Sequence, residues 1–463
     1  MPSVRTVSAL LLALVMAATL GGEAAHAAWP GRVAGGGVVL YLLLEWRHLG
    51  LSGKGLVLAA GAAAVAAAAT LPDGGRAVGE GLGRAAFFAT FITALGLLRQ
   101  AALGSPLVRR CGRLLVHQPP ARRYAALSLG GHLFGNLVHA GGVALLATMI
   151  RQGSGAITDP AARAVREQRA GLAAYRGYAA TILWSPLTVG MAILLASFPG
   201  VTWPELALPG AGLAAAFMAL GWGLDAVAGG RRGAAEGPRP AGDGTAADLG
   251  RLVALVAGIM GLAFAVAGTL SVRLVPGLLM SVPVVTVAWL MWRARLLGPP
   301  AAGRLALRHL ARRARHAFPA HRGEIAVLAA AGMLGVAGLA ALPDGAVAGL
   351  AAVVPSPAWL AGVVLPWGLL ALGLVGVAPV VGLTLAAGVL GGAGVGGVPP
   401  EAAALALGWG FVMSVIVSPA SMSLLMLARL MERPVTRVGL GWNLGFAALA
   451  LVAFNAGFLA LYG

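Results

Sequence analysis

The chain has 463 residues, of which 59% are hydrophobic and only 10% charged, whereas soluble domains carry about 25% charged residues. Gly (70) and Pro (27) are abundant, but a mean hydropathy of +0.87 excludes disorder, which needs a chain poor in apolar residues. The net charge of +18 is almost entirely arginine, since Lys54 is the only lysine, and the arginines lie between apolar segments. That is the distribution of cytoplasmic loops, so nucleic acid is not an expected partner. The lone cysteine, Cys111, excludes an intrachain disulfide and any Cys-x-x-Cys site. Its neighbours Arg109, Arg110 and Arg113 are placed to lower its pKa, although an incidental small residue is the plainer reading.

Residues 1–28 join Arg5, an apolar run from Val7 to Leu20 and Ala25-His26-Ala27. This is the layout of a cleaved signal peptide or of a retained first transmembrane helix. Apolar stretches long enough for a hydrocarbon core of about 30 Å follow at 33–46, 55–71, 84–101, 177–198, 206–224, 250–269, 275–292, 324–342, 401–430 and 438–461. Two more, 124–150 and 359–395, fit a single crossing poorly. The expected fold is all-α: a polytopic membrane protein of about 10–11 transmembrane helices plus two re-entrant hairpins.

Arginine-rich segments set the orientation. Segments 99–123 and 151–176 are both basic, so 124–150 between them reads as a hairpin that enters and leaves on the cytoplasmic side. Arg231, Arg232 and Arg239, the linker 293–322 and the cluster Arg429, Arg433 and Arg437 also read as cytoplasmic. Asp344 and Glu401 then lie outside, so 359–395 enters from the opposite face, and the C-terminus lies outside the cytoplasm of a bacterial inner membrane.

A weak internal repeat agrees with this topology. Leu133-Phe134-Gly135-Asn136 pairs with Leu374-Val375-Gly376-Val377, and Ser185-Pro186 pairs with Ser418-Pro419. Proline arms at Pro119-Pro120 and Pro355-Ser356-Pro357 precede them. The domain reading is a first membrane repeat at 29–228, a polar linker at 229–250 and a second repeat at 251–463, inserted in opposite senses. Inverted repeats with interrupted helices point to a secondary transporter with its site near the bilayer midplane.

Proline removes a helix donor and frees a carbonyl, while the half-helix beyond it starts with free amides. Ser185, Pro186, Thr188, Ser418, Pro419 and Ser421 are therefore candidate substrate contacts, with Gly135, Asn136, Gly376 and Pro379 at the hairpins. The serines can equally patch their own backbone. All fifteen acidic residues fall at span ends or in loops, so sodium is expected as the coupling ion rather than protons. Within the hairpin, His139 is a weaker candidate for proton coupling, and His132 and His139 are too sparse for a metal site. The arms 105–123 and 300–322 read as helices lying on anionic lipid.

At Gly135-Asn136, Ser185-Pro186-Leu187-Thr188, Gly376 to Pro379 and Ser418-Pro419-Ala420-Ser421, the chain resembles the ion transporter superfamily. That group includes divalent anion:sodium symporters, citrate and arsenite carriers and the large subunits of TRAP systems. No Walker A loop, His-Glu-x-x-His or Gly-x-Ser-x-Gly with partners appears in the sequence, so enzyme activity is not expected. The resemblance implies a small organic or inorganic anion as substrate, a possible sodium ion, elevator-type alternating access and a homodimer. The Ser-Asn-Thr hairpin tips of the sodium symporters are absent: the first hairpin has only Asn136, the second Val377-Ala378-Pro379. A permease subunit dependent on a partner protein and a non-transporting scaffold are the alternatives.

Overall fold

The computed structural model describes residues 4–230, 244–338, 354–393 and 397–463, with Ala340 and Gly349. Arg231, Arg232, Arg239, Asp344, the ends of 324–342 and 359–395, and most of the linker expected at 229–250 fall outside the described residues. Among those described, all regular structure is helical, and nine helices are long and apolar enough to cross a membrane. The protein is a polytopic all-α membrane protein.

The helices are α1 (Val4–Ala24), α2 (Trp29–Glu45), α3 (Leu51–Thr70), α4 (Gly74–Leu103) and the short amphipathic α5 (Pro106–Val116). Next come α6 (Pro120–Val138), α7 (Ala140–Ser154), α8 (Pro160–Ala180), α9 (Val189–Ser197) and α10 (Trp203–Gly230). Then follow α11 (Ala246–Leu270), α12 (Leu274–Arg293), α13 (Pro299–Ala320) and α14 (Arg322–Met333). The last are α15 (Pro357–Leu374), α16 (Pro379–Ala393), α17 (Pro400–Val417), α18 (Met422–Leu430) and α19 (Trp442–Tyr462). Proline opens many of them, where its missing N–H costs nothing. Asp159 caps α8, its carboxylate accepting from the amides of Ala161 and Ala162.

The chain divides into two compact units, and neither is a continuous stretch. The first takes residues 1–101, 257–349 and 387–389; the second takes 102–256, 350–386 and 390–463. Each therefore draws on both halves of the sequence.

In the first unit, α1 packs on α2 and α13, and α3 packs on α14. Leu12, Val15, Val38, Tyr41, Ala86 and Ile325 share one buried cluster. Glu45 is buried beneath it: Ser8 Oγ donates to its carboxylate at 2.7 Å, with His48 at 3.4 Å and Arg322 at 3.8 Å. Residues 4–24 are thus a packed helix whose Ser8 helps satisfy a buried carboxylate.

In the second unit, α6 lies backbone to backbone on α8. A Cβ on Gly131 would strike the carbonyl of Ala174, and one on Gly177 that of Ser128, the close approach that small residues allow between membrane helices. His139, at φ +52°, turns the chain from α6 into α7. Both arms pack on α5, and Gly153 near the end of α7 comes back beside Val116, just ahead of α6. This is a helical hairpin that turns at His139. Gly130, Gly131, Gly135 and Asn136 lie inside α6, because these glycines serve helix contact rather than bending. Likewise α8 is a helix from Pro160, so most of the basic segment 151–176 is not loop.

Gly131→Leu and Gly177→Leu are expected to force α6 off α8, costing about 1–3 kcal/mol or more. Gly212→Leu, whose Cβ meets nothing within 4 Å, should leave the melting temperature of the purified protein unchanged. Intact mass of that protein is expected to include α1, since its removal would strip Ser8 from Glu45 and Leu12 from the core.

Candidate functional site

Both Ser-Pro pairs interrupt a helix inside the second unit. At the first, α8 tightens into a single turn, Thr181–Leu183, and α9 restarts at Val189. Ser185 Oγ accepts from the amide of Leu187 at 3.3 Å. Thr188 Oγ1 donates to the Ser185 carbonyl at 2.8 Å and accepts from the amide of Met191 at 3.4 Å, capping α9. At the second, Ser418 Oγ accepts from the amide of Ala420 at 3.1 Å, and Ser421 Oγ lies 3.2 Å from Ser423 Oγ. Each of these four candidates is buried (Ser185, Thr188, Ser418, Ser421). Their hydroxyls first satisfy the backbone and neighbours of their own break.

Pro419 cannot donate to the carbonyl four residues before it, that of Val415. The hydroxyl of Tyr175, from α8, donates to that carbonyl at 2.9 Å and receives Ser423 Oγ at 3.1 Å. One broken helix thus repairs the other. In return α17, before the second break, packs on α9 and on the Thr181–Leu183 turn. The two Ser-Pro breaks are bound together through Tyr175 and α17.

Around them, hairpin arms pair with broken helices in a crossed pattern. First arms lie on first halves, α6 on α8 and α15 on α17. Second arms lie on the second half of the other broken helix. There α7 packs on α18, and Gly391 of α16 has no room for a Cβ against the Ser197 carbonyl ending α9.

The α6 candidates sit beside the first break. A Cβ on Gly135 would press on Thr181 and Tyr178. Asn136 Nδ2 donates to the His132 carbonyl at 3.0 Å, while its buried Oδ1 has no partner among the described residues. Trp184 donates to His132 Nε2 at 2.9 Å, so Nδ1 carries the proton and donates to the Gly177 carbonyl at 3.2 Å. His132 is thereby held neutral. Trp203 caps the arrangement, donating to the Trp184 carbonyl at 2.7 Å. His139 forms the hairpin tip.

At the second hairpin, Gly376 (φ +93°) makes the turn between α15 and α16, a conformation that suits glycine. Gly376 is exposed, with neighbouring Val375 78% exposed, so this tip is not packed against the breaks. Pro379 opens α16 and is buried. Nearer the second break, Ser414 Oγ is buried without a partner among the described residues and lies under Gly373 of α15.

The sequence reading missed two residues, Tyr175 and Arg176. An aromatic and a cation adjacent in a helix that leads to a Ser-Pro break were the available signal. Cys111 is buried, and burial together with Asp248 pushes its thiol up to about 11, so the neighbouring arginines do not activate it. A cleft of about 630 Å³ opens between the end of α7, the start of α8 and the end of α18. It is lined by Arg151, Arg163, Glu167, Glu432 and Arg433. There Arg151 donates to Glu432 at 2.7 Å and holds that carboxyl below its usual range.

Tyr175→Phe leaves the buried Val415 carbonyl without its donor and takes one of two hydroxyl partners from Ser423. A loss of about 1–3 kcal/mol is expected in denaturant unfolding, and an unchanged midpoint would show that the two breaks are not braced by this hydroxyl. The Arg151–Glu432 pair contributes above the ordinary carboxyl pKa and is lost only as the pH falls through the lowered one. Glu432→Gln should therefore abolish any acid-dependent increase in proteolysis at residues 430–433.

No family model and no curated protein matches the chain. Among solved structures it is similar to the YdaH transporter of Alcanivorax borkumensis, at 16% identity and a TM-score of 0.49, over 85% of this chain and 89% of that one. So loose a likeness leaves the functional argument to the chain's own residues.

Proposed function

We propose that the chain is a secondary transporter of a small organic or inorganic anion. The observation that carries this reading is the pair of helices broken at Ser185-Pro186 and Ser418-Pro419, one from each half of the chain, braced through Tyr175 within one compact unit. Broken backbone at membrane depth is tolerable only where it is buried in protein or lines a cavity, and such breaks are how transporters hold solute and coupling ion. The crossed pairing of hairpin arms supports two inverted repeats with re-entrant hairpins. Buried Asn136 Oδ1 and Ser414 Oγ, both lacking partners among the described residues, supply oxygens for a sodium ion or a substrate donor.

Every sequence-derived candidate lies in the second unit. That favours an elevator-type motion in which this unit carries the solute while the first is held in an inner membrane, as a homodimer, with the cleft at Arg151 and Glu432 as a mouth.

The test is uptake by proteoliposomes of labelled acetate, succinate, citrate, phosphate and sulfate, with and without an inward sodium gradient. At least one anion is expected to enter faster with sodium, and Asn136→Ala and Ser418→Ala should cut that rate about tenfold or more. Uptake equal to that of empty liposomes for every anion would overturn the reading.

A further inference from the structure

Arg176 lies in α8, nine residues before Ser185, with only 7% of its surface exposed. Nε donates to Asn443 Oδ1 at 3.0 Å, Nη1 to the Tyr124 hydroxyl at 3.4 Å and Nη2 to the Trp442 carbonyl at 3.1 Å. The guanidinium carbon stands 3.8 Å above the centre of the Phe446 ring. All four partners are neutral. Asp225, on the neighbouring α10, is already held two-pronged by Arg169 at 2.7 and 2.8 Å. Asn443 and Tyr124 are themselves buried.

Arginine stays protonated in proteins, and a buried charge is costly unless it is paired. The described residues supply hydrogen bonds and a ring face but no counter-charge. Three of the five guanidinium N–H groups have acceptors, which leaves one on each terminal nitrogen. Such a pair is the fork that a carboxylate bridges. Tyr124 accepts from Arg176, so its own hydroxyl hydrogen is available as a third donor.

We propose that Arg176, framed by Tyr124, Asn443 and Phe446, anchors a small carboxylate anion that supplies the missing counter-charge. The proposal deepens the transport reading by naming carboxylates as the substrate class, and rests on it only for what the bound anion is for. A lipid phosphate offers similar chemistry, but a side chain more than nine-tenths enclosed by protein suits a solute without acyl chains.

The test uses full-length protein in lipid-free neutral detergent, with melting temperature followed against sodium acetate, sodium succinate, sodium chloride and short-chain phosphatidylglycerol. The surface arginines give every variant the same general salt response. Wild type is expected to show a saturable rise with acetate or succinate beyond that with chloride. Arg176→Gln should weaken the half-saturation about tenfold or more. Asn443→Asp places a fixed carboxylate against Nε, keeps Arg176 paired, and should abolish the excess; it decides the matter even if Arg176→Gln does not fold. An excess that persists in Asn443→Asp, is absent from wild type or appears only with phosphatidylglycerol overturns the proposal. Flux separates the two readings. Carboxylate binding lost in Asn443→Asp, with no uptake by wild type, keeps the site and removes transport. Equal uptake by both, with no carboxylate response, does the reverse.

Discussion

A helix that stops inside a dry interior leaves carbonyls and amides that nothing in lipid can satisfy, and each costs several kcal/mol if left alone. Ser185-Pro186 and Ser418-Pro419 create that demand twice, and the packing of the second unit is largely the answer to it. Thr188 closes the start of α9, Trp203 takes the Trp184 carbonyl and Tyr175 takes the one that Pro419 releases. Two of these donors come from other helices, so the breaks cannot form independently of the tertiary structure. Their repair fixes α8 against α17 and α18.

The glycines make this possible. Tyr175 and Arg176 lie between the two contacts, at Ala174 and Gly177, where α8 touches α6 with no side chain intervening. Helix backbones this close keep His132 within reach of Gly177 and Trp184. The same economy recurs where Gly373 covers Ser414 and Gly391 meets the Ser197 carbonyl. Small residues thus do for the arms what hydroxyls and indoles do for the breaks.

Much of the helix inventory was legible in the sequence, because proline fixes both helix starts and the two interruptions, and apolar length fixes the spans. The particular turning residue, His139, was not: glycines at 130, 131, 135, 141 and 142 signal a bend and a tight helix contact alike, and only the packing decides which of them do which. Arg176 was read as loop because arginine marks loops in membrane proteins. What buries it are Tyr124 and Asn443, 52 and 267 residues away. Cys111 is likewise decided in space: burial first and Asp248 second push its thiol up, outweighing the lowering by neighbouring Arg110. Asn136 was singled out for its chemistry, and that its oxygen lacks a partner among the described residues is a fact of packing that no spacing encodes.

The exchange of hairpin arms between halves bears on how the chain is made. Since α7 packs on α18, and α9 ends against α16, the early hairpin and the first broken helix leave the ribosome long before the surfaces that complete them. Contacts so distant in sequence form late and slowly. Until the final hundred residues are threaded, half-finished backbone must wait in the bilayer, exposed to misassembly. The insertion machinery, rather than the lipid, is then the natural shelter for that waiting chain.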